Sequence, residues 1–184
     1  LNAHEPKRPQ RRPTPTETVM APLHTLQVEV NGQAQLRSVQ PRQHLVDFIR
    51  NELGLKGSHL GCEHGVCGAC TVEVDGRIVR GCLTLAVQTQ GCKVRTIEGL
   101  SNDGDVRDLQ EAFIRNNALQ CGFCTPGMVM AAKELLEAKP DATREEVREW
   151  MSGNFCRCTG YHAIVDAICE TLAERAGKAQ KVSA

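Results

Sequence analysis

Aromatic side chains are scarce in this sequence. The 184 residues include four phenylalanines, one tryptophan and one tyrosine, so large rings supply little of any core. Net charge is absent as well, since 22 Lys and Arg balance 22 Asp and Glu. That balance excludes a whole-chain basic field for nucleic acid. No apolar run approaches the ~20 residues a membrane-spanning helix needs. No G-x-G-x-x-G stretch occurs, so a dinucleotide site of that type is expected on another chain. A small domain short of rings often relies on metal or disulfide cross-links to supplement its core.

Cysteine, by contrast, is plentiful. The chain holds ten, and most of them come in close pairs. Loops of so few residues make poor disulfides, and clustered spacing favours metal in a reducing compartment. The stretch Cys62-Glu63-His64-Gly65-Val66-Cys67-Gly68-Ala69-Cys70 has the spacing C-x4-C-x2-C, and Cys82 follows across a strand–turn–strand. This is the plant-type signature for a [2Fe–2S] cluster on four thiolates. A tight loop supplies three soft anionic ligands and a returning strand supplies the fourth. Gly57, Gly61, Gly65 and Gly68 let the loop fold closely and aim backbone N–H groups at sulfur. Cys62-Glu63-His64 superficially resembles half of a Rieske site. With no C-x-x-H in the chain, His64 is expected to be a loop residue near the cluster.

Along the chain, residues 1–22 carry prolines and Arg11-Arg12. No apolar stretch follows the arginines, so the segment is expected to be a disordered arm and not an export signal. Thr25 to Val30 alternates as a strand, Asn31-Gly32 marks a hairpin turn, and Ala34 to Val39 returns. His44 to Leu53 sets Leu45, Phe48, Ile49 and Leu53 on one helical face, ended by Gly54. Strands are expected at Thr71–Val74, Ile78–Arg80 and Val94–Ile97. Polar Ser101 to Asp105 is expected to be a boundary. Four helices are expected beyond it, over Asp108–Asn116, Thr125–Lys139, Thr143–Met151 and Tyr161–Ala176. Thr143 and Glu146 form a capping box. Thr125 and Thr159 are expected to be N-caps, with Pro126 at the first helical position.

The helical half repeats a pattern: Cys121-Gly122-Phe123-Cys124-Thr125, then Phe155-Cys156-Arg157-Cys158-Thr159. Cys121, Cys124, Cys156 and Cys158 are candidate ligands for a second centre, with two helix N-termini beside it. Phe123 and Phe155 are placed to exclude water from it. Structural zinc is the alternative, although familiar zinc sites pair two C-x2-C knuckles and here one pair is C-x-C. Cys169 is expected to be a buried core thiol and Cys92 a thiol in a turn. His162 is expected at the surface.

Together, GCEHGVCGACTV with Cys82, QCGFCTPG and NFCRCTGY resemble the small iron–sulfur subunit of the molybdenum hydroxylases. That family contains xanthine dehydrogenase, aldehyde oxidoreductase, carbon monoxide dehydrogenase and N-heteroaromatic hydroxylases. The likeness spans about Leu23 to Arg175. It implies an α+β chain, with an N-terminal plant-type ferredoxin-like (β-grasp) domain at residues 23–100. An all-α four-helix-bundle [2Fe–2S] domain would follow at 101–176, then a flexible tail at 177–184.

By the same resemblance, Cys62, Cys67, Cys70 and Cys82 hold the cluster facing the flavin. Cys121, Cys124, Cys156 and Cys158 hold the cluster nearest the molybdenum cofactor, with Gln120 and Cys158 against its pterin. The implied partners are a large molybdopterin-binding subunit and a medium FAD-binding subunit, in a cytoplasmic dimer of heterotrimers. The implied role is single-electron relay from the molybdopterin site through two [2Fe–2S] clusters to FAD. A free two-cluster electron carrier is the rival reading, for which a strongly acidic surface would be expected.

Overall fold

A computed structural model describes residues 22–182. The expected arm therefore lies outside the described residues except for Pro22. Strands β1 (His24–Val30) and β2 (Gln33–Val39) form the first hairpin. Asn31 and Gly32 turn it with positive φ of 50° and 76°, the combination a type I′ hairpin needs. In β1, Leu26, Val28 and Val30 are buried, Gln27 between them is exposed and Glu29 half-buried, so the alternation read from the sequence sets the buried face. β2 keeps only Val39 buried, as an edge strand with solvent on most of its surface.

Helix α1 (Leu45–Asp47) widens at once into a π-helical stretch, Phe48–Glu52. The Leu53 N–H reaches back to the Phe48 carbonyl. Leu45, Phe48 and Ile49 are fully buried, as the apolar spacing requires. Gly54, at φ 72°, ends the helix.

β3 (Thr71–Val74), β4 (Arg77–Arg80) and β5 (Lys93–Arg95) complete one sheet in the order β2-β1-β5-β3-β4. β1 and β5 run parallel, and the other pairs are antiparallel. The core of this half packs Leu26, Val28, Val30, Phe48, Ile49, Val72 and Val94 between sheet and helix.

The last expected strand is shorter than read. Thr96 and Ile97 leave the sheet, and α2 (Ile97–Asp103) begins instead. The Asn31 side chain takes the Thr96 N–H at 2.9 Å and so ends the ladder. The polar run read as a boundary is the end of α2, closed by Gly104 at φ 80°.

α3 (Arg107–Arg115), α4 (Thr125–Ala138), α5 (Arg144–Met151) and α6 (His162–Val182) are the four expected helices. With α2 they pack five helices, not four, around Phe113, Met128, Leu135, Val147, Ile164 and Ile168. α6 also runs on through residues 177–182, which were expected to be tail. α5 carries the expected capping box: the Glu146 N–H donates to Thr143 Oγ1 and the Thr143 N–H to Glu146 Oε2.

The two halves are joined along α4. Lys133 on α4 reaches Glu73 on β3 at 3.0 Å, with both side chains 10% exposed. Glu134 accepts the Ile78 N–H at 3.0 Å and covers part of the free edge of β4. Gly127 lies so close to the sheet half that a Cβ there would sit 2.2 Å from the Gly68 carbonyl oxygen. Contact of this closeness explains glycine in the first turn of a helix.

Candidate metal centres

Cys62, Cys67 and Cys70 of the first set lie in the loop before β3, and Cys82 lies in the turn after β4. Gly65 and Gly68 turn the loop with φ of 85° and 74°, and Glu63 adopts φ 57° without being glycine. A non-glycine residue held in that region marks a backbone the surroundings enforce. Cys62 is half-buried and accepts the Cys67 N–H at 3.4 Å. That N–H and the His64 N–H hold the Cys62 thiol down at about 6. Cys70 and Cys82 are buried together, and burial pushes the Cys70 thiol up to about 11. Burial also raises Cys67. The side chains contact in two pairs, Cys62 with Cys67 and Cys70 with Cys82.

The second set forms where the N-terminus of α4 meets the loop before α6. Cys121 and Cys158 are exposed, with sulfurs 3.5 Å apart. Cys124 and Cys156 are half-buried and contact each other. Burial lifts the Cys124 thiol to about 12. Burial also opposes the Cys156 thiolate, but the Thr159 hydroxyl at 3.1 Å and nearby backbone N–H groups outweigh it and lower that thiol.

All eight predicted cysteines thus fall into the two expected groups of four. Each group divides into two contacting pairs. Among the described residues, no three His, Cys, Asp or Glu side chains converge on a single ion. A binuclear cluster needs two thiolates on each of two irons, and the paired arrangement fits that demand. The Thr125 hydroxyl supports the same fit. It is buried beside Cys124 with no hydrogen-bond partner among the described residues, and a buried hydroxyl without a partner is costly. A cluster sulfur would satisfy it.

Some expectations shift. Thr125 is the first helical residue of α4 and caps nothing; Cys124 holds the cap position, and Pro126 falls one place later than expected. Thr159 lies ahead of α6 and spends its hydroxyl on the Cys156 sulfur. Phe123 and Phe155 are 46% and 52% exposed, so within this chain they form an apolar rim and do not seal the centre. Gln120 shares the exposed rim with Cys121 and Cys158. Cys169 packs against the helical core but is only half-buried. Cys92 is half-buried in its turn, and neither joins a group. His64 turns its ring to the Cys62 carbonyl, and His162 is exposed.

Several residues were not singled out from sequence. Tyr161 adopts φ 73°, and its hydroxyl accepts the Cys156 N–H at 2.8 Å. His59 stacks on Phe123 at 4.6 Å between centroids, with its Nδ1 2.8 Å from the Phe123 carbonyl. The Phe155 N–H donates to the Cys67 carbonyl at 2.9 Å, so one backbone hydrogen bond joins the two cysteine groups. Lone polar residues between cysteines carry no spacing signal, which is why reading the sequence passed over them.

Two family models match the chain. Residues 28–93 match a 2Fe–2S iron–sulfur cluster binding domain, and residues 96–169 match a [2Fe–2S] binding domain. The nicotine 6-hydroxylase small subunit of Paenarthrobacter nicotinovorans is 54% identical over 158 residues, covering 86% of this chain and 92% of that subunit. The caffeine dehydrogenase subunit gamma of a Pseudomonas species is 51% identical over 148 residues, covering 79% of this chain and 89% of the relative. A crystallised chain of quinoline 2-oxidoreductase from Pseudomonas putida superposes with a TM-score of 0.80 at 49% identity, covering 86% of this chain and 98% of that one.

Proposed function

The chain belongs to the small iron–sulfur subunits of the molybdenum hydroxylases; from this premise we propose that it relays single electrons from a molybdopterin site to FAD on partner subunits. Its place is in an oxidoreductase complex, and its two domains take two [2Fe–2S] clusters. A [2Fe–2S] cluster supplies one-electron oxidation and reduction. Cys62, Cys67, Cys70 and Cys82 would hold one cluster, and Cys121, Cys124, Cys156 and Cys158 the other.

The chain's own residues do three things. Backbone N–H groups of Cys67 and His64, and the Thr159 hydroxyl, stabilise negative charge on sulfur. Tyr161 fixes the Cys156 backbone. The Cys67–Phe155 hydrogen bond holds the two cysteine groups in contact. That hydrogen bond is the observation that carries the relay reading, because two carriers in one chain serve a relay only when they are near neighbours.

The exposed rim of Gln120, Cys121, Phe123, Phe155 and Cys158 is proposed to face the large molybdopterin-binding subunit, with Gln120 and Cys158 against the pterin. Exposed Val66 and Leu83, near the first group, are proposed to face the medium FAD subunit. The assembly is proposed to be a dimer of heterotrimers in the cytoplasm. Ten cysteines without a disulfide among the described ones support a reducing compartment. No described helix is long and apolar enough to cross a membrane.

The test is purification of the tagged chain from its native host. Two larger polypeptides, one carrying molybdopterin and one carrying FAD, are expected with it. Elution as a lone two-cluster protein would overturn the relay in favour of a free carrier.

A further inference from the structure

Asn154 stands out among the buried polar residues. It is 2% exposed and lies two positions before Cys156. Its Nδ2 donates to the Gly68 carbonyl at 3.2 Å, inside the Cys67–Cys70 loop. Its Oδ1 accepts from Arg80 Nη2 at 3.3 Å. The same guanidinium donates to the Gly153 carbonyl at 2.6 Å and, through Nη1, to the Thr71 hydroxyl. Thr71 in turn donates to the Gly68 carbonyl at 2.7 Å. One closed set of hydrogen bonds thus ties the loop of the first cysteine group to the segment leading into the second.

Its members leave no slack. A Cβ on Gly68 would lie 2.5 Å from Asn154 Nδ2, and one on Gly127 would lie 2.2 Å from the Gly68 oxygen. The Gly68 carbonyl is therefore held by the asparagine amide and the threonine hydroxyl and crowded by the first turn of α4. The Cys67 carbonyl next to it receives the Phe155 N–H at 2.9 Å. Side chains that bury a satisfied polar network hold one geometry where apolar packing would tolerate several.

We propose that Asn154, braced by Arg80, is a positioning residue for electron passage between the two centres. It fixes the Cys67–Phe155 contact and hence their separation. The proposal rests on the two-cluster reading above. The step it serves moves one electron from the helical-half cluster, which is oxidised, to the sheet-half cluster, which is reduced. It breaks no bond and moves no proton. Asn154 touches neither reacting centre; it acts through the backbone of Gly68 and Phe155.

The test uses the purified complex reduced with dithionite and read by low-temperature EPR. Two [2Fe–2S] signals that split one another through spin–spin coupling are expected for the native protein. In Asn154→Leu both signals persist and the splitting is lost or sharply reduced. Asn154→Asp keeps the acceptor facing Arg80 but loses the donor and sets a carboxylate oxygen against the Gly68 carbonyl, so it reduces the splitting too. Arg80→Lys, at a part-exposed position, removes the fork that braces Asn154 and reduces the splitting without emptying either site. A residue serving stability alone would lower the unfolding midpoint and leave the splitting native. That result in Asn154→Leu overturns the proposal. If Asn154→Leu fails to take up its clusters, native splitting in Arg80→Lys overturns it. If the native complex itself lacks two [2Fe–2S] signals, the underlying two-cluster reading fails instead.

Discussion

Replacing Lys133 by Met tests how the two halves are held together. Lys133 leaves α4 and enters the contact with the sheet, where its ammonium lies 3.0 Å from Glu73 Oε2 and 2.8 Å from Glu137 Oε2. Glu137 is 57% exposed, so that bond contributes little. Glu73 and Lys133 are each 10% exposed. Burial alone would pull the Lys133 ammonium down, but the Glu137 and Glu73 carboxylates outweigh it and hold it above the ordinary lysine value.

A group raised in this way contributes stability in full below its unfolded pKa and loses it as pH rises through the folded value. The pair is therefore fully formed at neutral pH. Removing one partner of a buried pair costs about 3–5 kcal/mol, because the other charge is left uncompensated. Arg95 is the cross-strand neighbour of Glu73 and relieves part of that. The expected cost of Lys133→Met is thus near the lower end, about 3 kcal/mol. Glu73→Gln costs only ~1 kcal/mol, since the glutamine amide oxygen still accepts from the Lys133 ammonium. The double variant Glu73→Leu with Lys133→Met returns to within about 1 kcal/mol of native, as apolar replacements of buried pairs do.

Urea unfolding followed by circular dichroism and by cluster absorbance gives the stability of the native protein and of the three variants. Coincident transitions by both probes are required for two-state treatment. A Lys133→Met cost below about 1 kcal/mol, or a double variant less stable than either single one, refutes the reasoning.

Three further outcomes are expected. Gly127→Ala meets the Gly68 backbone at 2.2 Å; it destabilises by about 1–3 kcal/mol in urea despite the better helix propensity of alanine. Glu146 is held down at about 2 by the Thr143 N–H, Lys139 and the Thr143 hydroxyl. Its contribution to the fold is present above the ordinary glutamate range and fades as pH falls through about 2. NMR titration of the Thr143→Ala variant, which loses the hydroxyl but keeps the N–H and Lys139, finds that carboxyl moved up only slightly, and adding Lys139→Ala moves it further. Thr125→Val removes a buried hydroxyl that lacks a partner; it leaves the cluster-free chain at least as stable and lowers the potential of the helical-half cluster, read by an EPR redox titration.

Much of the fold was legible because its signals are periodic. The alternation in β1, the apolar spacing of α1 and the capping box of α5 each state a local preference that tertiary packing reinforces. The grouping of eight cysteines was legible because ligand spacing is itself a geometric constraint. The misread segments are those where a long-range partner decides. Ile97 continues a β pattern until Asn31, sixty-five residues away from Thr96, ends the ladder. Thr125 looks like a cap, but the chain enters α4 from Cys124 in helical conformation, leaving the hydroxyl nothing to cap. The widening of α1 leaves no composition signal, because its apolar residues satisfy α and π turns alike. Asn154 takes its role from a partner in another loop, which no local window reveals, and Tyr161 bonds within its own loop, where no spacing rule marks it.

The most direct test counts iron and acid-labile sulfide per chain and records EPR of the dithionite-reduced protein. Four irons, four sulfides and two distinct [2Fe–2S] signals are predicted, one for each matched domain. Two irons with a single signal, and zinc on Cys121, Cys124, Cys156 and Cys158, would contradict the two-centre relay.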